Sequence, residues 1–238
     1  MRTYFLHPES IRNLFDTIAP RYDFLNRLLS LRRDIYWRKM AVRELEGFEG
    51  WVLDLATGTG DVAIEIAHQN GQKNKVFGLD FSEPMIKGAH RKLQIKGLTE
   101  KVVLGLGDAL SLPFRRNTFS ASIIAFGLRN VMEKEQALAE MVRVTKGGGK
   151  VIILEFTLPQ KGMMRSLYPI YFKRILPRVG GLVSGNPGAY AYLPQSVLRF
   201  RHPEDYEEMM IRTGLENVSF RRLTGGIASI IEGTKRLQ

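Results

Sequence analysis

Three aspartates accompany consecutive apolar segments of this chain, and together they could bind a nucleoside. Asp54 lies in an apolar run that leads into the glycine-rich residues 56–61, Asp80 ends a second run, and Asp108 follows a third. Because the carboxyl ends of parallel strands meet at one edge of a sheet, we expect these carboxylates to lie close together. Three aspartates in this order indicate a nucleoside site much more specifically than any one of them alone.

The glycine-rich stretch after Asp54 predicts a tight turn that a ligand can approach closely. Gly58 and Gly60 allow this backbone path, but Gly58-x-Gly60-x-x-Ala63 also fits a dinucleotide fingerprint. A carboxylate directly before the turn suits an ammonium group better than a pyrophosphate. The pattern therefore favours S-adenosylmethionine as the ligand, with Asp54 facing its cationic amino acid end.

The other two aspartates suit the rest of such a nucleoside. Asp80 can accept hydrogen bonds from both ribose hydroxyls, a role shared with nucleotide dehydrogenases, or it can simply cap the helix expected from Ser82. Asp108 could accept a hydrogen bond from the adenine amine, although alone it would be an ordinary turn residue.

Alternating strand-like and helix-like segments must position these residues. This alternation predicts a parallel sheet covered by helices. The predicted strands are 51–55, 75–79, 102–106, 119–125 and 150–155, the predicted helices are 60–70, 83–96, 134–145 and 203–213, and a hairpin is expected over 215–222 and 227–235. Residues 146–149 are predicted to reverse the chain between a helix and the next strand.

Two segments fall outside the alternation. Residues 1–48 have apolar residues at helical spacing and predict an N-terminal helical cap on a domain of residues 49–238. Residues 156–202 contain five prolines, seven Lys or Arg and no Asp or Glu, and they are rich in apolar and aromatic residues. That composition indicates a functional inserted lid rather than a disordered segment.

Composition limits the chemistry. The chain has 238 residues, no cysteine, and four scattered histidines without metal-ligand spacing, so we expect no disulfide, thiol chemistry or bound metal. Neither a signal peptide nor a membrane-spanning run is visible, which predicts a cytoplasmic protein. The net charge of +11 suits nucleic acid, anionic lipid or acidic partners, or a plain solvated surface.

Several motifs resemble those of known enzymes. Those similar to the successive motifs of class I methyltransferases are Leu53-Asp-Leu-Ala-Thr-Gly-Thr-Gly60, Gly78-Leu-Asp80, Gly107-Asp-Ala109 and Arg143-Val-Thr-Lys-Gly-Gly148. Those that resemble the ubiquinone/menaquinone biosynthesis C-methyltransferases are Phe15-Asp-Thr-Ile-Ala-Pro-Arg-Tyr-Asp23 with Asn26 and Trp37, Phe126-Gly-Leu-Arg-Asn-Val131, and the tail from Tyr192-Leu-Pro-Gln-Ser196 to Leu223-Thr-Gly-Gly226.

The resemblance implies a Rossmann-like α/β fold. Its sheet would have seven mostly parallel strands and a C-terminal antiparallel hairpin, with N-terminal helices and an inserted lid. Family contacts with S-adenosylmethionine carry over to Thr59, Asp80, Asp108 and Ala109. Relatives can have a serine before Phe126, but this chain has Ala125, so no hydroxyl contact is expected there.

The resemblance also implies the acceptor, a ring carbon of a polyprenylated quinol such as demethylmenaquinol or the equivalent ubiquinone precursor. Such a carbon becomes nucleophilic when a neighbouring hydroxyl loses its proton, so the enzyme must stabilise a phenolate-like oxygen. Arg129 is the expected oxyanion contact, although it could instead form a salt bridge to the N-terminal helices. Asn130 could orient the same oxygen, and Tyr22 could line the ring pocket or relay the proton.

Other possibilities stay open at this point. Residues 163–177 could contact an anionic membrane, form a lid over the pocket, or both. His202 could be a base, but a capping or surface role is more typical. A homodimer or a quinone-synthesis complex is open too. An RNA methyltransferase is the alternative enzyme, and a nonenzymatic nucleoside-binding or assembly protein is the alternative class, although we expect no nucleic acid partner.

Overall fold

The computed structural model describes residues 8–69, 74–160 and 202–237. Most of the predicted lid at 156–202, including the basic segment 163–177, lies outside the described residues. The division into a cap of residues 1–48 and a domain of residues 49–238 stays a prediction. None of the helices within the described ranges has the length and apolarity that crossing a bilayer requires.

Within the described residues seven strands form one sheet, as predicted. They are β1 Gly50–Leu55, β2 Asn74–Asp80, β3 Val102–Leu106, β4 Phe119–Ala125, β5 Thr145–Phe156, β6 Leu215–Leu223 and β7 Ala228–Lys235. Their order is β3-β2-β1-β4-β5-β7-β6. Strands β1 to β5 pair in parallel, and β7 is antiparallel to both β5 and β6. The strand order reverses between β1 and β4, which is where such sheets bind ligands.

Helices flank this sheet. Within the described residues they are α1 Pro8–Ile18, α2 Tyr22–Leu29, α3 Arg33–Arg43, α4 Asp61–Gln69, α5 Glu83–Lys96, α6 Lys134–Val144 and α7 Pro203–Arg212. Helix α5 has its predicted bounds, since both of its ends are set by capping residues. The Ser82 side chain accepts from the Met85 amide at the start, and Gly97 ends the helix in the left-handed conformation. The helical spacing near the N-terminus corresponds to α1–α3.

The predicted chain reversal at residues 146–149 was wrong in its bounds. Strand β5 already begins at Thr145, which pairs with Phe119, and regular pairing resumes between Ala121 and Lys150. The glycine run therefore forms an irregular part of the strand, a β-bulge. A Cβ on Gly149 would lie 2.5 Å from the Ser120 carbonyl oxygen, so only glycine can approach β4 this closely.

Apolar side chains cover both faces of the sheet and form two buried clusters. One contains Trp37 of α3 with residues of α4, and the other contains Tyr206 of α7 with residues of α6. The indole of Trp37 also donates to the Thr224 hydroxyl at 2.8 Å, which ties α3 to the turn between β6 and β7. The N-terminal helices are therefore packed on the sheet and not merely appended to it.

Candidate active site

The glycine-rich loop leaves the end of β1 in a strained path. Ala56 has a φ of 54°, which is unusual for a residue with a side chain. The Thr57 amide donates to the Leu79 carbonyl at 3.0 Å, and the Gly58 amide donates to the Asp80 carboxylate at 2.8 Å. The loop is thus fixed to the end of β2 before any ligand binds.

Asp80 lies at the end of β2 with its carboxylate held in place. One oxygen accepts from the Gly58 amide and the other from the Ser82 amide, at 2.8 and 2.9 Å. Each carboxylate oxygen can accept a second bond, and Asp80 lines the cavity described below. Burial raises its pKa, while the backbone amides oppose that shift. This geometry fits two ribose hydroxyls and also explains the helix-capping alternative, because Ser82 begins α5.

Asp108 and Ala109 line the same cavity after β3. One oxygen of Asp108 accepts from the Leu110 amide at 2.9 Å, which fixes the turn. A carboxylate has further lone pairs with which it could accept a hydrogen bond from an amine donor. Asp80, Asp108 and Ala109 are therefore brought together as the sequence predicted.

Asp54 points elsewhere. Its carboxylate is buried behind the loop, where it accepts from the Thr57 hydroxyl at 2.5 Å and from the Ala63 amide at 3.0 Å. Burial raises its pKa to about 7 against these two hydrogen bonds. Asp54 thus holds the loop and the start of α4, and it is not among the residues that line the cavity. Its contact with an ammonium group stays a prediction.

The remaining loop residues also serve packing. Thr59 is buried and donates to Asp23 of α2 at 2.5 Å. A Cβ on Gly60 would lie 3.1 Å from the Ala89 Cβ, so this glycine lets α5 approach the loop. Gly58 lines the cavity, whereas Thr59 and Gly60 do not. The loop therefore presents one face to the cavity and the other to the surrounding helices.

The N-terminal helices close one side of the cavity. Phe15 and Tyr22 both line it, and their rings meet edge to face with centroids 6.2 Å apart. Arg12 donates to the Phe81 carbonyl at 2.7 Å, and the Ser82 hydroxyl donates to Asp16 at 2.5 Å. Both contacts are with the two residues that directly follow Asp80. The Phe15–Asp23 signature thus contacts the glycine-rich loop and the residues that follow β2.

An ionic cluster fastens these helices to α4 and α5. Its members are Asp23, Arg27, Asp34, Arg38, Asp61 and Lys92. The Lys92 ammonium lies 2.8 Å from Asp23 and 2.5 Å from Asp61. Burial opposes ionisation of Asp61, but Arg38, Lys92 and Arg27 outweigh it and lower its pKa. The i,i+4 spacing of Asp34 and Arg38 on α3 is visible in the sequence, but the cluster as a whole is not, because it joins four separate helices.

The loop after β4 faces the glycine-rich loop across the switch point. Phe126 has a φ of 56°, and a Cβ on Gly127 would lie 2.6 Å from the Ala56 Cβ. A short 3-10 turn then spans Leu128–Asn130. Phe126 and Asn130 line the cavity. Glycine at position 127 is therefore required by the close approach of two strained loops.

Arg129 turns away from the cavity into the protein. Its guanidinium donates to both oxygens of the buried Glu155 of β5, each at 3.2 Å, and to the Phe126 carbonyl. Burial raises the pKa of Glu155, and Arg129 opposes that shift. The salt bridge considered as the alternative is present, and the partner that the described residues show is Glu155 of β5. An oxyanion role for Arg129 stays a prediction that this geometry does not favour.

One cavity of about 490 Å³ joins these parts, a size typical of small-molecule sites. Its polar groups include Asp80, Asp108, Asn130 and Tyr22, and most of its wall is apolar, with Ile11, Phe15, Met85, Leu106, Val131 and Met132. Arg12 also lines it, and sequence reasoning missed this residue. The helical spacing near position 12 identifies the apolar face of α1 but does not say where its polar face points.

His202 takes the structural role favoured from sequence. It precedes α7, its amide donates to Asp205 at 2.8 Å, and its ring contacts Gln160 at 3.1 Å. It is not among the residues that line the cavity.

The strand order, the glycine-rich loop and the carboxylates after β2 and β3 together define a class I methyltransferase. The solved structure of an S-adenosylmethionine-dependent methyltransferase of Thermotoga maritima aligns with a TM-score of 0.67 at 20% identity, covering 95% of this chain and 100% of that one. At this identity the likeness shows the fold alone.

The comparison of sequences is closer. The model described as the ubiE/COQ5 methyltransferase family matches residues 5–235, and the chain belongs to this family. It is 45% identical over 231 residues to the ubiquinone/menaquinone biosynthesis C-methyltransferase UbiE of Geobacter sulfurreducens, covering 97% of this chain and 90% of the relative. It is 46% identical over 223 residues to the demethylmenaquinone methyltransferase of Thermus thermophilus, covering 93% and 100%. The protein is an S-adenosylmethionine-dependent methyltransferase.

Proposed function

We propose that this protein methylates a ring carbon of a polyprenylated quinol, either demethylmenaquinol or the equivalent ubiquinone precursor. The observation that carries the proposal is a cavity in which the carboxylates of Asp80 and Asp108 meet an apolar and aromatic wall. A flat aromatic ring with an apolar tail suits such a wall, whereas a polyanionic RNA does not. The names of the relatives support the same substrate class.

The residues around the cavity divide the work. When bound, S-adenosylmethionine supplies an electrophilic methyl group. Asp80 orients the ribose, and Asp108 receives the adenine amine. Phe15 and Tyr22 pack on the acceptor ring and exclude water, which holds the ring carbon in place. Asn130 orients the acceptor hydroxyl, and the Tyr22 hydroxyl relays its proton.

Arg12 is the arginine that suits the developing phenolate oxygen. One of its N–H groups is used by the Phe81 carbonyl at 2.7 Å, and a guanidinium has five donors. Its side chain lines the cavity, unlike that of Arg129. Arg129 instead acts as a positioning residue, because its bonds to Glu155 and Phe126 fix the loop that presents Asn130.

The acceptor has consequences for location. A prenyl tail keeps the quinol in the bilayer, so a cytoplasmic enzyme must reach it at the inner face of the membrane. The net charge of +11 favours contact with anionic headgroups there.

Labelled S-adenosylmethionine with three acceptors tests the proposal: demethylmenaquinol, the ubiquinone precursor and bulk RNA. We expect label only in a quinol, on a ring carbon by mass spectrometry. Label in RNA, or none in either quinol, would overturn the proposal. Tyr22→Phe should lower kcat about 100-fold with an unchanged Kd for S-adenosylmethionine. Tyr36→Phe is the matched control, because Tyr36 is exposed and lies outside the cavity lining.

A further inference from the structure

The outer face of α2 exposes apolar side chains. Phe24 and Leu28 are 59% and 38% exposed, and their spacing of four residues puts them on one side of the helix, while Leu31 in the turn that follows is 80% exposed. Leu25 of the same helix is buried, and Tyr22 lines the cavity. The helix is therefore apolar on the side that the fold leaves in solvent as well as on the side that it buries.

The turn after α2 holds Leu31 outward at a conformational cost. Leu31 and Arg32 have φ values of 51° and 62°, a left-handed conformation that is unfavourable for residues with side chains. Glycine would end the helix here without that cost. Because Leu31 is 80% exposed, the fold gains almost no buried apolar surface in return. Strain of this kind commonly marks a functional surface.

The charge around this face is of one sign. Residues 24–33 contain three arginines and no acidic residue. Arg27 turns inward to Asp34 and Asp61, while Arg32 and Arg33 are exposed. Apolar side chains next to exposed arginines are typical of helices that lie in the interface of an anionic bilayer.

We propose that the outer face of α2 and the following turn, residues 24–33, form a membrane-docking surface for anionic lipid. Phe24, Leu28 and Leu31 enter the boundary between headgroups and acyl chains, and Arg32 and Arg33 contact lipid phosphates. The same helix contributes Tyr22 to the cavity, so an acceptor drawn from the bilayer reaches the site along α2. This inference rests on the proposed function, since a lipid-soluble acceptor makes such contact necessary.

Vesicle co-sedimentation tests the surface, with phosphatidylcholine vesicles compared against vesicles that also contain phosphatidylglycerol. We expect the full-length protein to bind the anionic vesicles. Phe24→Ser with Leu31→Ser, and separately Arg32→Glu with Arg33→Glu, should each weaken that binding at least tenfold. Ile95→Ser with Ile211→Ser is the matched control, because these residues are 81% and 55% exposed on α5 and α7. This control should bind like the unmodified protein.

Turnover separates this inference from the proposed function. With a short-chain, water-soluble quinol, both docking variants should react as fast as the unmodified protein, whereas with a long-chain quinol in anionic vesicles they should be at least tenfold slower. No turnover of the soluble quinol by the unmodified protein would defeat the proposed function. Turnover of the soluble quinol together with equal vesicle binding by all variants would defeat the docking surface alone. A dimer that the Phe24→Ser, Leu31→Ser pair dissociates, without any lipid dependence, would assign the surface to a second copy instead.

Discussion

Replacing Arg129 with alanine separates a positioning role from a catalytic one. The guanidinium lies 3.2 Å from both oxygens of Glu155, within a site where burial already raises the pKa of that carboxyl. Its removal leaves a buried carboxylate with the backbone amides of residues 129 and 156 as its remaining donors. Breaking a buried ion pair in this way costs about 3–5 kcal/mol of the free energy of unfolding.

The loss of stability in Arg129→Ala should depend on pH. Because the folded-state pKa of Glu155 is raised, the stabilisation from its neutral form is present below the unfolded pKa of 4.5 and is lost as pH rises through the folded value. Without Arg129 that pKa rises further. The deficit of Arg129→Ala should therefore be larger at pH 8 than at pH 5.

Urea unfolding followed by circular dichroism measures both effects. Glu155→Gln and the double variant complete a cycle, and we expect the double variant to lose roughly 1–3 kcal/mol less than the sum of the single losses. If Arg129→Ala unfolds like the unmodified protein yet no longer transfers methyl groups, the positioning role is refuted. The guanidinium would then act on the acceptor oxygen, as the sequence predicted.

Three further substitutions test other parts of the site. Asp80→Asn should weaken S-adenosylmethionine binding roughly 10- to 100-fold, because charge-assisted hydrogen bonds to the ribose are lost; calorimetry measures this, and an unchanged Kd would contradict the ribose role. Burial raises the pKa of Asp54 to about 7, so the stabilisation from its neutral form is lost as pH rises through that value. Asp54→Asn should not show this pH-dependent loss of stability when urea unfolding is measured between pH 5 and 8. If the unmodified protein and the variant lose stability equally over this range, the reasoning about Asp54 is wrong. Gly127→Ala would put a Cβ 2.6 Å from that of Ala56 and should cost about 1–3 kcal/mol of stability in thermal unfolding. Gly88→Ala is the control, because its new Cβ would lie 3.6 Å from the nearest atom and should cause no such loss. Equal Tm values for the two variants would show that the loops can separate.

The strands and helices could be predicted because their signals are local. Alternation, apolar runs and end signals such as Ser82 and Gly97 lie within each element. The bulge at residues 146–149 could not be predicted, because it depends on how closely the chain approaches Ser120 on the neighbouring strand.

Site residues could be predicted only where the position of a residue at a strand end also determines where its side chain points. Asp80 and Asp108 follow strand ends and reach the cavity as expected. Asp54 and Arg129 lie just as close to strand ends, but the Asp54 side chain turns back to the loop and the start of α4, and the Arg129 side chain turns to Glu155, 26 residues away on β5. Arg12 was missed for the same reason, since its contact is 69 residues away.

The contacts of the N-terminal helices also set an order of events during protein synthesis. These helices leave the ribosome before the elements on which they pack, so Asp23 must wait for Lys92, 69 residues later, and Trp37 must wait for Thr224, 187 residues later. At about 5–20 residues per second, the second interval alone lasts roughly 10–40 s. Helices α2 and α3 are therefore secured only long after they are made, and until then Trp37 and Leu25, buried in the finished protein, stay accessible to chaperones.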